Sequence, residues 1–387
     1  MNCTERGRAD TIKSSAHRPD LLFFWLVLFL LGIGLLMLLS ASFPSAFYEM
    51  GTPYYYFIRQ GRFALMGLAM MICIAFSDYH VLRKIAKPLL AVTGVLLIMV
   101  LIPSIGIVRN NARRWLSLAG IQFQPSELAK LVLILNLAAG IARKREKMLT
   151  ARQGIFPYLL LTGVLAILVG VQPHLSGAVL IAGTGAILMF VGGIHPLHAL
   201  GGSFLAVGGA AVILSGVLPY GKSRIAMWHD PFADAEEAGY QLSQSFIAIG
   251  SGGWTGLGLG KSRQKFMYLP EEHNDFIFSI VCEELGLMGA CLILLLFAAV
   301  VLRGYSIALK AGDRFGALLV VGIISLFAMQ TFLNISVVTG LLPTTGISLP
   351  FFSYGGTALI LQLAEMGIVL SVSRGTLERK IHPLNCK

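Results

Sequence analysis

The chain has 387 residues, of which 56% are hydrophobic and 13% charged, and its formal net charge is +11. Soluble domains contain about a quarter charged residues, so this composition excludes a soluble globular protein and predicts a polytopic membrane protein. The excess of Lys and Arg fits the positive-inside bias of membrane loops and an attraction to anionic lipid. We therefore expect no nucleic-acid partner.

Apolar runs of about 20 residues can each cross a bilayer as a helix. The sequence contains about ten such runs, some of them short, which predicts an all-α polytopic fold with one membrane domain at residues 21–372. The polar tails are residues 1–20 and 373–387. The predicted spans are 21–42, 60–77, 86–105, 127–142, 156–171, 177–192, 196–218, 275–302, 315–339 and 347–372.

The distribution of basic residues predicts the orientation. Most of the Lys and Arg side chains fall in the tails and in the loops on one side, so both termini are expected in the cytoplasm. The large loop 219–274 then lies outside, and its varied composition predicts an ordered segment. Within it, Leu242, Phe246 and Ile249 recur at helical spacing, which predicts a short helix on the membrane surface.

A glycine-rich stretch at residues 250–262 resembles a phosphate-binding P-loop only in part. Thr255 stands where the first required glycine would be, and no buried strand precedes the stretch, so nucleotide binding is not predicted. The glycines are expected to allow tight turns and a close approach to a helix or ligand.

Asp275 stands where the large loop meets the next apolar run, two residues after His273. An acid at the edge of lipid is costly unless it is solvated, paired or used. Two interpretations are open, because Asp is a favoured helix N-cap and is also a candidate catalytic base. Glu283 and Glu284 lie two turns deeper. Glu284 falls on the face opposite Asp275, and pairing with basic groups on neighbouring helices is at least an equal alternative to a functional role for Glu284.

A second polar cluster surrounds a predicted helix start at Pro125. Arg113, Arg114 and Lys130 lie at one leaflet, and three cations there suit a phosphate or diphosphate. Glu127 is spaced i,i+3 from Lys130 and can pair with it. Interfacial snorkelling remains the alternative for Lys130 and for one of the arginines.

Two further segments carry polar groups at membrane depth. The last outer segment, residues 343–356, is rich in Gly, Pro and hydroxyl groups and contains Ser353 and Tyr354. Irregular backbone at this depth is tolerated where it lines a cavity, so a cavity wall is predicted. His174 is expected to be a hydrogen-bonded structural residue, since no His/Cys spacing supports a zinc site.

The motifs taken together resemble the SEDS family (shape, elongation, division and sporulation) of peptidoglycan polymerases. The strings are ARRW at 112–115, QPSELAK at 124–130, DPF at 230–232, GYQ at 239–241, AIGSGG at 248–253, HNDFIF at 273–278 and LPFFSYGG at 349–356. Residues 264–266 followed by 268–271 look like the division and sporulation branch (FtsW or SpoVE) more than the elongation branch (RodA). The family often has an acid where this chain has His174, so a carboxylate role at that loop is not expected.

The resemblance implies an inverting glycosyltransferase that polymerises lipid II into β-1,4-linked strands and releases undecaprenyl diphosphate, for septal or sporulation cell-wall synthesis. Asp275 fits the role of general base. The diphosphate group would be handled by Arg113, Arg114, Lys130 and Glu127, with or without a divalent cation such as Mg²⁺ or Mn²⁺. Supporting candidates are His273, Glu283, Ser353 and Tyr354.

The resemblance also implies a setting. The chain is expected in the bacterial cytoplasmic membrane, at the septum, with its active site facing outward. Its expected partner is a class B penicillin-binding protein, which is a transpeptidase, together with other division or sporulation membrane proteins. Two other functions remain open at this point, a lipid II flippase and a non-catalytic scaffold of a division complex.

Overall fold

The structure is a computed structural model that describes residues 18–109, 112–118, 121–143, 155–172, 174–193, 228–233 and 239–375. These residues contain ten helices and one small antiparallel sheet with strand order β1-β2-β3. The helices are α1 (Leu21–Met50), α2 (Tyr55–Phe76), α3 (His80–Leu101), α4 (Pro125–Arg143), α5 (Phe156–Gly170), α6 (Leu175–Val191), α7 (Tyr240–Gly252), α8 (Ile277–Lys310), α9 (Arg314–Val338) and α10 (Gly356–Arg374). The strands are β1 (Ile107–Arg109), β2 (Ala112–Leu118) and β3 (Ile121–Phe123).

The helices confirm the predicted polytopic fold. Among the described residues, seven helices are long and apolar enough to cross a membrane, namely α1, α2, α3, α4, α8, α9 and α10. The helices α5 and α6 are shorter apolar helices. The predicted span 196–218 lies outside the described residues. Helix α7 confirms the short helix predicted within the large loop, whereas the small sheet at 107–123 was not predicted.

Three helices form the centre of the bundle. In the most apolar 18-residue stretches of α4, α9 and α10, 67%, 67% and 72% of the residues are buried. In the corresponding stretches of α2 and α3, only 22% are buried. Helix α4 packs against α3, α6 and α9, and α10 packs against α2. Side chains on α4, α9 and α10 are therefore enclosed by protein, and polar groups on these helices must find partners inside it.

The two ends of the bundle differ. At one end the start of α1 meets the end of α10, because the backbone N–H of Asp20 donates to Ser373 Oγ at 3.0 Å. Asp20 also pairs with Arg303 of α8, with 2.6 Å between Oδ2 and Nη2. The other end, where α2 and α4 begin, carries the small sheet, α7 and the segment 339–355. We call it the cavity end.

Helix α8 is interrupted at Gly286, whose φ of 67° and ψ of −171° are not helical. The glycine-rich stretch fills the break with backbone hydrogen bonds, from Leu257 N to Glu283 O at 2.9 Å and from Leu287 N to Gly253 O at 2.9 Å. A Cβ built on Gly286 would lie 2.3 Å from Gly256 N, so only glycine permits this approach. The expected close approach of these glycines to a helix is confirmed.

The two acids beside this break serve the same contact. Glu284 pairs with Lys265 at 2.9 Å and accepts a hydrogen bond from Ser40 Oγ at 2.7 Å. Glu283 accepts from the backbone N–H of Arg263 at 2.9 Å and from Ser262 Oγ. Glu284 therefore pairs with a basic group, as the alternative interpretation predicted. Its partner is Lys265 of the large loop and not a residue of a neighbouring helix. Together these bonds hold residues 260–265 against α8.

Candidate active site

A cavity of about 410 Å³ opens at the cavity end of the bundle. Its walls come from the first turns of α2, α4, α6 and α10, from β2 and β3, and from the segments 271–275 and 346–355. The sequence-predicted residues that line it are Arg114, Glu127, Lys130, Asp275, Ser353 and Tyr354. Residues separated by more than 200 positions in the chain thus converge on one cavity. The segment 346–355 is part of its wall, as predicted for residues 343–356.

Asp275 lies in the turn that precedes α8 and lines the cavity. The N-cap of α8 is Phe276, so the interpretation of Asp275 as the helix cap is wrong. The backbone carbonyl of Asp275 accepts a hydrogen bond from Asn334 Nδ2 at 2.7 Å, and the same amide nitrogen donates to Ile347 O at 2.6 Å. The buried Asn334 on α9 therefore holds Asp275 and the segment 346–355 together.

Three more hydrogen bonds fix the segment of chain that carries Asp275. Ser353 Oγ donates to the carbonyl of Asn274 at 2.7 Å and accepts from the backbone N–H of Leu349 at 2.7 Å. The backbone N–H of Tyr354 donates to the carbonyl of His273 at 2.9 Å. Residues 273–275 and 347–354 are thus one hydrogen-bonded unit, and Ser353 acts in it as a structural tie.

Gly346 allows this unit to close around the carboxylate. Its φ is +68°, and a Cβ placed on it would lie 3.3 Å from Asp275 Oδ2. A side chain at position 346 would therefore be strained by the left-handed backbone and would press on the carboxylate. With no side chain at position 346, the Asp275 carboxylate lines the cavity without this clash.

Lys130 lies inside the protein and not at the lipid surface. Only 4% of its surface is exposed, and its ammonium contacts Glu127 Oε2 at 2.8 Å and Gln330 Oε1 at 3.1 Å. Gln330 in turn donates to the carbonyl of Ser348 at 3.1 Å. The snorkelling alternative is wrong for Lys130, and the predicted i,i+3 pair with Glu127 forms within the cavity wall.

The two arginines of the ARRW string separate. Arg114 lines the cavity, and its Nε donates to the carbonyl of Gln172 at 3.4 Å. Arg113 is not a lining residue, since its Nη1 reaches the carbonyl of Leu101 at 3.4 Å and its aliphatic stem packs on Gly106. Successive side chains leave a strand on opposite faces, so β2 delivers one arginine to the cavity. Of the two arginines predicted to join one anion site, the structure places only Arg114 in the cavity lining.

Two of the supporting candidates lie behind the cavity wall. His273 stacks on Tyr56 with 4.5 Å between ring centroids, and its Nδ1 is 3.3 Å from Glu272 Oε1. Tyr56 itself lines the cavity, so His273 supports a lining side chain. Glu283 is not a lining residue and belongs to the contact between the large loop and α8. His273 and Glu283 therefore support the site indirectly and do not line the cavity themselves.

One wall of the cavity was not predicted from the sequence. Tyr55, Tyr56, Arg59 and Phe63 all project into it from the first turns of α2. The predicted span began at residue 60, which left Arg59 outside it, whereas α2 begins at Tyr55. The i,i+4,i+8 spacing of Tyr55, Arg59 and Phe63 is the signal that identifies this face.

Arg59 adds a third cation to the site. Its Nη1 donates to Tyr55 Oη at 3.1 Å, and no carboxylate in the described part of the chain pairs with it. The lining thus holds the cations Arg59, Arg114 and Lys130 and the carboxylates Glu127, Glu271 and Asp275. A carboxylate facing several cations across a cavity is suited to deprotonating a hydroxyl while stabilising an anionic leaving group.

The described residues contain no group of three or more His, Cys, Asp or Glu side chains arranged to hold a metal ion. Any metal in the cavity would depend on one or two carboxylates and on oxygen atoms of a substrate, which is how Mg²⁺ commonly binds in phosphate-handling sites.

Comparison with known proteins finds extensive similarity. A family model described as "Cell cycle protein", which groups the FtsW, RodA and SpoVE proteins, matches residues 21–378. The stage V sporulation protein E of Bacillus subtilis is 42% identical over 358 residues, covering 92% of this chain and 97% of the relative. A probable peptidoglycan glycosyltransferase FtsW of Geobacter metallireducens is 40% identical over 357 residues, covering 92% and 95%.

Solved structures share the fold. A chain from a study of how a peptidoglycan synthase complex coordinates polymerization and crosslinking aligns with a TM-score of 0.77 at 30% identity, covering 92% of this chain and 98% of that one. The rod shape determining protein RodA of Thermus thermophilus aligns with a TM-score of 0.69 at 28% identity, covering 93% and 98%.

Proposed function

Because this chain belongs to the FtsW, RodA and SpoVE family and is a peptidoglycan glycosyltransferase, we propose that its cavity polymerises lipid II into β-1,4-linked glycan strands. The observation that carries the proposal is the convergence of the Asp275 carboxylate and three cations on a single cavity. Such a polymerase needs a base for a sugar hydroxyl and positive charge for a departing diphosphate.

The proposed step is a single displacement at the anomeric carbon. Asp275 takes the proton of the acceptor 4-hydroxyl, and the hydroxyl oxygen forms the new bond to the anomeric carbon of the donor. The bond from that carbon to the diphosphate oxygen breaks, and the electron pair leaves with undecaprenyl diphosphate. Attack opposite an α-linked leaving group produces the β linkage, so no covalent sugar–enzyme intermediate is required.

The diphosphate is proposed to lie against Arg114 and Lys130. Lys130 is held by Glu127 and Gln330, which fixes the direction of its ammonium group before substrate arrives. A preorganised cation stabilises developing charge without first having to be ordered. A divalent cation such as Mg²⁺ or Mn²⁺ is the alternative source of this charge.

We further propose that the cavity end faces outward and that both termini are cytoplasmic. The start of α1 and the end of α10 lie at the same end of the bundle, since Asp20 contacts Ser373. That end carries the basic residues Arg83, Lys84, Arg143, Lys310 and Arg374 near helix ends, as the positive-inside rule requires. The enzyme would then act on lipid II at the outer surface of the bacterial cytoplasmic membrane, at the division or sporulation septum.

The proposed partner is a class B penicillin-binding protein. A similar structure comes from a peptidoglycan synthase complex that polymerises and crosslinks. The described part of this chain has ten helices and one small sheet, and none of these elements forms a separate domain outside the bundle that could crosslink peptides. Other membrane proteins of division or sporulation complete the proposed setting.

The deciding experiment is polymerisation of purified lipid II by the full chain in liposomes, with and without its cognate transpeptidase. Glycan strands that lysozyme degrades, together with release of undecaprenyl diphosphate, would support the proposal. Transfer of lipid II across the bilayer without polymer would instead identify a flippase. Neither activity, from folded protein with its partner present, would leave the scaffold function.

A further inference from the structure

His174 is the feature of the cavity that the proposed reaction does not yet use. It is the N-cap of α6 and lines the cavity beside Ser176 and Gly177. Only 8% of its surface is exposed. Because the residue lies beside Arg114 and Lys130 on the cavity wall, its own charge state affects the charge of the site.

The hydrogen bonds of the His174 ring assign its proton. Nδ1 lies 3.2 Å from Ser126 Oγ and 3.4 Å from Gln124 Nε2. An amide nitrogen can only donate, so Nδ1 accepts and the ring proton is on Nε2. Nε2 has no hydrogen-bond partner among the described residues, and the ring borders the cavity. An N–H donor is therefore available to a ligand.

The ring is neutral in the resting enzyme. Burial, with the nearby charges of Arg114 and Lys130, lowers the pKa of His174 to about 3. Protonation is thus absent throughout the physiological pH range, and the residue contributes a donor without a charge.

The neutral His174 ring affects the net charge of the surrounding cavity wall. Arg114, Lys130 and Glu127 together carry one net positive charge on the wall that we assign to the diphosphate. A neutral residue at position 174 preserves that charge, whereas a carboxylate would cancel it and repel the phosphate oxygens. Mg²⁺ in phosphate-handling sites binds through one or two carboxylates and the phosphate oxygens, but Glu127 on this wall is already paired with Lys130 at 2.8 Å.

We propose that His174 binds the departing diphosphate through Nε2–H and that this wall of the cavity consequently handles the diphosphate without a divalent cation. The inference rests on the proposed function, because it assigns the diphosphate of the same reaction to the wall that contains Arg114 and Lys130. A histidine nitrogen is also a poor ligand for Mg²⁺, which prefers oxygen.

The test compares His174→Asp with His174→Asn, which have nearly the same shape and differ by one charge. Each full-length variant is reconstituted in liposomes, and undecaprenyl diphosphate binding is measured in EDTA and in increasing Mg²⁺ or Mn²⁺. The wild type and His174→Asn should bind in EDTA, with His174→Asn weaker by about tenfold or less for one altered hydrogen bond. The affinity of His174→Asp should fall further in EDTA and recover with Mg²⁺.

Lipid II polymerisation under the same conditions is the second measurement, and thermal unfolding shows whether each variant is folded. Equal binding by the two variants in EDTA, or loss of wild-type binding in EDTA, would overturn the inference. The binding measurement decides it even if the wild type makes no glycan, which would count against the proposed function alone. A wild type that polymerises only with Mg²⁺, and that binds diphosphate only with Mg²⁺, would overturn the inference and leave the proposed function standing.

Discussion

At the scale of single residues, the site depends on how each charge is held. Asp275 is oriented through its backbone by Asn334, and Lys130 through its ammonium by Glu127 and Gln330. Asn334 and Gln330 are buried, and Glu127 is partly buried. Substituting Asp275 or Lys130 should therefore remove a charged group from the site. Substituting Asn334 or Gln330 should instead change the position of a charged group that remains.

Asp275→Asn should reduce polymerisation by about 10²–10⁴-fold, because the amide cannot accept the proton of the acceptor hydroxyl. The substitution keeps the shape of the side chain, and the bond from Asn334 goes to the backbone, so the fold should be unchanged. The measurement is the initial rate of glycan formation, with lipid II binding and thermal unfolding as controls. Polymerisation near the wild-type rate by a folded variant would end the assignment of Asp275 as the base.

Arg59→Ala should raise the lipid II concentration needed for half-maximal rate by about tenfold or more, since a hydrogen bond to a charged group is worth about 1.5–3 kcal/mol. The acceptor keeps its own diphosphate, so the reaction contains two such groups. Arg59 is on α2, which packs on α1 and α10, whereas Lys130 is on α4, which packs on α3, α6 and α9. The cavity therefore has cations on two separate walls.

The matched control for Arg59 is Arg62→Ala, on the same helix but exposed and outside the cavity lining. Arg59→Lys should restore only part of the affinity, because a point charge does not replace a planar fork. If Arg59→Ala and Arg62→Ala gave the same kinetics as the wild type, Arg59 would have no part in substrate binding.

At the scale of elements, the large loop and α8 form one structure. The loop donates and accepts backbone hydrogen bonds across the break at Gly286, and Lys265 neutralises Glu284 beneath it. Residues 273–275 lie between this anchored loop and the start of α8. The position of the Asp275 carboxylate is thus set from one side by the loop and from the other by the segment 347–354.

Gly286→Ala should destabilise the protein, because a Cβ would meet Gly256 N at 2.3 Å and the left-handed backbone alone costs about 1–3 kcal/mol. The expected result is a lower thermal unfolding temperature in detergent and a loss of polymerisation. The control is Gly94→Ala in α3, where a Cβ has nothing within 4 Å; it should be neutral or slightly stabilising. Equal unfolding temperatures for the two variants would show that the break at Gly286 is not required.

At the scale of the whole molecule, the described residues form one helical bundle with the candidate active site at one end. The central helices α4, α9 and α10 are buried, and the more exposed α2 and α3 present apolar side chains outward. Such surfaces suit lipid and the single span of a partner.

Polymerisation should increase when the cognate class B penicillin-binding protein is co-purified with this chain, because a bound partner stabilises the state that it binds best. The measurement is the rate of lipid II polymerisation by the chain alone and by the complex at equal concentration. A partner inactivated in its own transpeptidase serine is the control, and should stimulate equally. A rate that is the same with and without the partner would refute partner dependence.

The sequence alone predicted much of the fold and singled out Asp275 as the candidate base. Runs of apolar residues long enough to cross a bilayer specify helices, because lipid offers no partners for backbone groups. An intramembrane-edge acid such as Asp275, and a cation such as Lys130 inside a span, stand out in any such chain because their burial is costly. The helix start at Pro125 and the helix with Leu242 follow from local chemistry in the same way.

Only the tertiary structure decided which of the candidates share a site. Arg113 and Arg114 are equivalent in the sequence, and the facing of β2 separates them. Arg59 is distant in sequence from Lys130 and Asp275 and joins them because α2 begins earlier than its hydropathy indicates. Glu283 stands out as an intramembrane acid, yet its partners are backbone groups of a loop that folds back onto α8. Local pattern reports the cost of burying a charge, whereas long-range packing decides whether that charge meets a substrate or another part of the chain.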